Sequence, residues 1–174
     1  NFDVETNTHY RNMGDLSFSD VSTGSGYGPP SFNMLAFGLG IADFDGDGQW
    51  DVFLGNGHIF EQPRRDNTEF RQPDQLLLGD GTGRLREVSC GLLLGRKTVT
   101  RGVALADFDN DGDADIGLQE NGGPAALLRS DNSGRRWLGV RLVGSGANPE
   151  GVGARVELVT DQRTLVQWVQ AGNS

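Results

Sequence analysis

The chain has 174 residues, with 15 lysines and arginines against 24 aspartates and glutamates, for a net charge of −9. That acidity argues against nucleic acid and anionic lipid as partners, and the short hydrophobic runs argue against a membrane span. Only 36% of the residues are hydrophobic while 27 are glycine, a balance that points away from long helices and toward short strands joined by tight turns.

The polar start at Asn1 reads as a mature product or a fragment rather than as a leader. The first element is a hairpin over Tyr10–Val21, turning through Asn12–Leu16. A strand at Phe37–Ala42 then runs into an aspartate-rich loop, and Val52–Leu54 leaves it. Glu61–Pro73 is polar, with two prolines and three arginines, and reads as a surface excursion. Leu77–Val88 forms a second hairpin, turning through Gly79–Gly83, and Cys90 follows it. As the lone cysteine, without a CxxC or histidine-rich setting, Cys90 reads as a small buried hydrophobe. Gly102–Ala106 enters a second aspartate loop and Ile116–Leu118 leaves it.

The sequence repeats. Leu39–Asp51 recurs as Val103–Asp115 at an offset of 64, and Tyr10–Val21 recurs as Leu77–Val88 at an offset of 67. Each unit reads as a hairpin followed by the two strands around the loop. The predicted fold class is therefore all-β, built of four-stranded β-propeller blades, about two of them in residues 1–133. Since closure takes about four to eight blades, open blade edges are expected to pair with other protein subunits or further copies of the chain. The repeat ends near Asp131. Residues 134–174 read as a separate small β module, with strands at Arg136–Val143, Val152–Thr160 and Thr164–Gln170 around a loop at Gly144–Gly151.

The two loops carry the chemistry. Counting from Asp43, carboxylates fall at positions 1, 3, 5 and 9: Asp43, Asp45, Asp47 and Asp51. The second loop repeats them as Asp107, Asp109, Asp111 and Asp115. Position 6 is glycine in both, Gly48 and Gly112, which permits a sharp turn. Position 7, Gln49 or Asp113, supplies a backbone carbonyl. Alternate residues of a tightly curled loop aim their oxygens at one centre, and a calcium ion wants about six to eight oxygens at about 2.3–2.6 Å. Two calcium sites are expected, which would bring the net charge to about −5. Magnesium fits less well, because it demands a small octahedron and keeps its waters. An EF-hand would need a glutamate at position 12 and flanking helices; here position 12 is Leu54 or Leu118, between strands.

No catalytic constellation stands out. Ser25 lies between Gly24 and Gly26 without a strand-to-helix elbow. His9 reads as a structural strand residue and His58 as a loop histidine, with a functional rim the alternative for His58. Gly144–Gly153 has no lysine-serine ending for a phosphate loop. Phe2, Tyr10, Trp50, Trp137 and Trp168 are expected in the core. The chain is expected not to be an enzyme.

Gly38–Asp51 and Gly102–Asp115 resemble the FG-GAP/VCBS repeats of integrin-α-like β-propellers, as do the hairpins at Tyr10–Val21 and Leu77–Val88. The tail, Trp137–Gly144 followed by Gly151–Val156, is similar to the start of an ASPIC/UnbV module. The two in this order resemble the cartilage-acidic-protein-like family. The resemblance implies an extracellular, cell-surface or periplasmic protein with calcium-stabilised blades and a role in adhesion or assembly, with glycans a further ligand class. Its alternative implication is an accessory or catalytic component of a biosynthetic pathway.

Overall fold

The computed structural model describes residues 2, 4–61, 68–89, 91, 95–132, 137–161 and 163–171. Cys90 and residues 62–67 of the polar excursion lie outside them. The chain divides into two compact units, Asn1–Ser133 and Gly134–Ser174. The named elements are β-strands and a short 3-10 turn at Pro29–Ser31, and among the described residues no helix is long and apolar enough to cross a membrane.

The first unit opens on a hairpin of β1 (Tyr10–Gly14) and β2 (Ser17–Asp20). Its turn residues, Asp15 and Leu16, have φ of 50° and 61°, the doubly left-handed geometry that matches the twist of a hairpin. Leucine is poorly suited there, because its Cβ crowds the next carbonyl. Leu16 is also 99% exposed, so packing offsets none of that strain. Leu16→Gly is expected to stabilise the unit by about 0.5–1 kcal/mol, after allowing for the backbone entropy glycine loses. A urea melt with a higher midpoint and an unchanged slope would register it.

Four strands then make one antiparallel sheet in sequence order: β3 (Ala36–Ala42), β4 (Asp51–Asn56), β5 (Gln75–Gly79) and β6 (Leu85–Val88). A second sheet orders β7 (Thr100–Ala106), β8 (Asp115–Glu120) and β9 (Ala126–Leu128). This corrects the expected unit. The aspartate-loop strands lead the four-stranded sheet and the hairpin follows, because β4 pairs with β5 through Val52↔Leu77 and Phe53↔Leu76. The β1–β2 hairpin is a sheet of its own. A repeat fixes the length of the unit but not where it starts; strand pairing decides that. Among the described residues, positions 1–133 therefore hold sheets of two, four and three strands, which do not close a ring.

Alternation along β3 places Gly38 and Gly40 in the interior and leaves Leu39 and Ile41 exposed. The glycines let β7 approach: a Cβ on Gly40 would lie 3.0 Å from Leu105, and one on Gly55 2.5 Å from Thr100. Between these sheets Phe44, Phe53 and Leu76 pack with Ile116 and Leu118, flanked by Val103 and Leu105. The other face of β4 and β5 buries Val52, Leu54 and Leu77 against Tyr27 and Leu85. Each such side chain contributes about 1.5–3 kcal/mol when fully buried.

The polar excursion returns into the fold. Gln72 and Thr98 exchange backbone hydrogen bonds of 2.8 and 2.9 Å, and both are buried. Beside them Asp74 gathers the end of β4 and the start of β7. Its carboxylate accepts from the Asn56 N–H at 2.8 Å and the Thr100 hydroxyl at 3.1 Å. Arg96 reaches Asp74 at 3.3 Å and also pairs with Glu120 at the end of β8.

In the second unit β10 (Arg155–Val159) pairs with β11 (Thr164–Trp168). The strand expected over Arg136–Val143 is not formed in its described part, residues 137–143. Its alternation is strand-like, but a strand needs a partner, and β10 and β11 pair with each other. The five aromatics expected in the core are exposed instead. Tyr10 and Trp168 sit in two-stranded sheets, which have too little surface to bury a ring.

Candidate metal centres

Both loops connect adjacent strands, β3 to β4 and β7 to β8, above the facing pairs Ala42↔Asp51 and Ala106↔Asp115. The curl depends on left-handed backbone at two positions. Position 6 has φ of 84° at Gly48 and 93° at Gly112, and position 4 has 70° at Gly46 and 60° at Asn110. Asparagine adopts this conformation more readily than most residues. The curled backbone then turns its N–H groups onto the position 1 carboxylate. Asp43 accepts from Asp47 at 3.0 Å and Gly48 at 2.7 Å. Asp107 accepts from Asp111 at 3.1 Å and Gly112 at 3.0 Å.

Position 9 anchors each loop to the sheet. Asp51 and Asp115 are buried in these acidic settings. Asp51 accepts the Phe44 N–H at 2.7 Å and the Gly79 N–H at 2.8 Å. Asp115 accepts the Phe108 N–H at 2.8 Å and the Ser130 N–H at 2.9 Å. One carboxylate thus ties the start of its loop to the end of the third strand, at Gly79, or to the second residue beyond it, Ser130. Gly79 and Ser130 are site residues that the sequence reading missed. The signal was available only through strand pairing, since no side chain marks them.

Two clusters of three acidic residues could hold a metal ion: Asp43, Asp45 and Asp51, and Asp107, Asp109 and Asp115. In each, one oxygen from every member lies within 4.8 Å of the others. Ligands at about 2.4 Å from a common ion can be no farther apart than about twice that distance, so both donor sets fit a hard cation. Oxygen-only ligation suits calcium or magnesium rather than zinc. Asp47 and Asp111 stand outside the two triads. Each accepts a backbone N–H two residues on, from Gln49 at 2.8 Å and Asp113 at 3.0 Å. The Asp113 side chain accepts the Asn132 N–H at 2.7 Å.

Three carboxyls of the two loops are pushed above the ordinary carboxylate range. Burial pushes the Asp43 carboxyl above the ordinary range, and the Asp47 charge adds to it against the Gly48 N–H bond. Burial raises Asp51 as well, with the charges of Asp45 and Asp43 adding. Asp109 is raised by desolvation, then by Asp111 and Asp115. The two centres differ in cover. Asn132 Nδ2 donates to the Phe44 carbonyl at 2.7 Å, so the first loop lies under the segment after β9. The second loop is more exposed, and there Arg129 pairs with Asp109 at 3.2 Å.

The other residues considered for chemistry take structural places. His58 is buried, accepts the Phe60 N–H on Nδ1 at 3.0 Å, and packs edge-on to Phe2. His9 Nδ1 meets the Ser25 hydroxyl at 3.1 Å. That serine is buried and also donates to the Ser22 carbonyl at 3.3 Å, which ties it to its own turn. Comparison with models of known protein families gives no match, and no curated protein matches the chain.

Proposed function

We propose that this chain is a non-enzymatic calcium-binding protein of the FG-GAP/VCBS β-propeller type, acting outside the cytoplasm as a structural and interaction module. The observation that carries the reading is the duplicated triad with its buried, backbone-anchored position 9 aspartate. Building the same costly acidic cluster twice, each at a strand-to-strand loop, is accounted for by an ion in each. When bound, calcium supplies positive charge to oxygens that otherwise repel. The residues do the rest: Asp43 closes the loop on itself, and Asp51 couples it to β5. Rigid sheets then present a surface to other protein subunits or further copies of the chain.

Isothermal titration with elemental analysis tests this. Two calcium ions per chain are expected, with Asp45→Asn removing one and Asp109→Asn the other. A chain that takes up no calcium, or whose uptake survives both substitutions together, would sink the reading.

A further inference from the structure

Among the described residues, the β7–β9 sheet has one covered face and one bare one. Val103, Leu105, Ile116 and Leu118 face the β3–β6 sheet and are packed there. The opposite face carries an open groove of about 570 Å³ lined by Gly102, Ala104, Gly117, Gln119, Leu127 and Phe108. The repeat equates Gly102 and Ala104 with Gly38 and Gly40, the two β3 residues on which Val103 and Leu105 press. It also equates Phe108 with Phe44. Phe44 is 7% exposed beneath the next sheet, whereas Phe108 is 69% exposed. The groove is thus the same receiving face, without its cover.

The matching projection is on this chain as well. Leu39 and Ile41 occupy the positions that Val103 and Leu105 hold one repeat later. They are exposed, at 55% and 51%. We infer that chains associate head to tail, with Leu39 and Ile41 on β3 of one copy seated in the Gly102–Ala104 groove on β7 and β8 of the next. The contact repeats the one already formed between β3 and β7 inside each chain, which is why a second copy is the occupant that fits. Joining two different patches, the interface is heterologous, and such interfaces build rings or open filaments rather than closed dimers. The surface lies on sheet faces, not on the strand edges expected from the sequence. This deepens the interaction reading above by naming its surface and partner, and the contact itself contains no metal ligand.

Sedimentation velocity over a dilution series, in calcium, tests the proposal, with metal content measured on the same samples so that loss of calcium and loss of assembly are read separately. The chain should form oligomers that grow with concentration. Two variants, Leu39→Asp with Ile41→Asp, and Ala104→Glu with Leu127→Glu, change exposed positions and should each be monomeric. Mixed in equal amounts, they retain one intact patch of each kind and should form a one-to-one pair that grows no further. Circular dichroism verifies that each variant folds, and Ile41→Lys with Leu127→Lys provides a milder second pair. A monomeric parent chain that binds calcium, variants that assemble like the parent, or folded variants that do not pair on mixing would each overturn the proposal.

Discussion

Excess EDTA is expected to lower the melting temperature of the first unit by about 15 °C relative to calcium-saturated protein. A ligand at about 100 times its Kd stabilises the folded state by about 2.7 kcal/mol per site. Two sites give about 5 kcal/mol, and about 3 °C per kcal/mol is usual for a unit of this size. The sign of the pH dependence is a further check. Asp43 and Asp51 have raised values in the metal-free fold. The stability they give that form is fully present below the ordinary carboxylate pKa and is lost as pH rises through the raised values. Bound calcium requires the ionised carboxylates, so its stabilisation is lost as pH falls and protons compete. The gap between the calcium and EDTA melts is therefore widest near neutrality and closes on acidification. Asp20 and Asp80, whose values are lowered chiefly by hydrogen bonds from Ser22 and Thr82, titrate in both arms and largely cancel. Scanning calorimetry at several pH values makes the comparison. Coincident melts with and without EDTA at neutral pH would remove the metal from the account of stability.

Much of the candidate centre was legible in the sequence because its geometry is local. Carboxylates at positions 1, 3 and 9 converge through one curled loop, and the glycine at position 6 announces the curl. What stayed hidden depends on contacts between distant parts of the chain. Gly79 and Ser130 matter through backbone N–H groups, which residue identity does not reveal. The order of strands was open for the same reason: periodic sequence tells a strand from a turn, but only the β4–β5 ladder shows which hairpin completes the sheet. Trp137–Val143 marks the reverse failure, in which alternation is present and a pairing partner is not. The buried polar junction around Asp74 was missed because Asp74, Arg96, Thr98, Thr100 and Glu120 look like ordinary loop and strand-end residues when read in order.

That junction sets the second large effect. Asp74→Ala is expected to destabilise the first unit by about 3 kcal/mol, or about 10 °C. The carboxylate is buried and accepts from the Asn56 N–H, the Thr98 and Thr100 hydroxyls and the Arg96 guanidinium. Truncation strands those donors at the point where β4 ends and β5 and β7 begin. Breaking a buried charge pair from one side costs about 3–5 kcal/mol. The lower end applies for two reasons. Arg96 keeps Glu120. In addition, burial raises the Asp74 carboxyl above its ordinary value despite its hydrogen bonds, so its removal recovers some desolvation. Denaturant melts should show the same loss in calcium and in EDTA, because Asp74 belongs to neither triad. A double-mutant cycle with Arg96→Met isolates the pair, and a coupling energy near zero would mean that Asp74 acts through the Asn56 and threonine bonds alone. A loss seen only in calcium would instead mean that the junction is coupled to the metal loops through the strands between them.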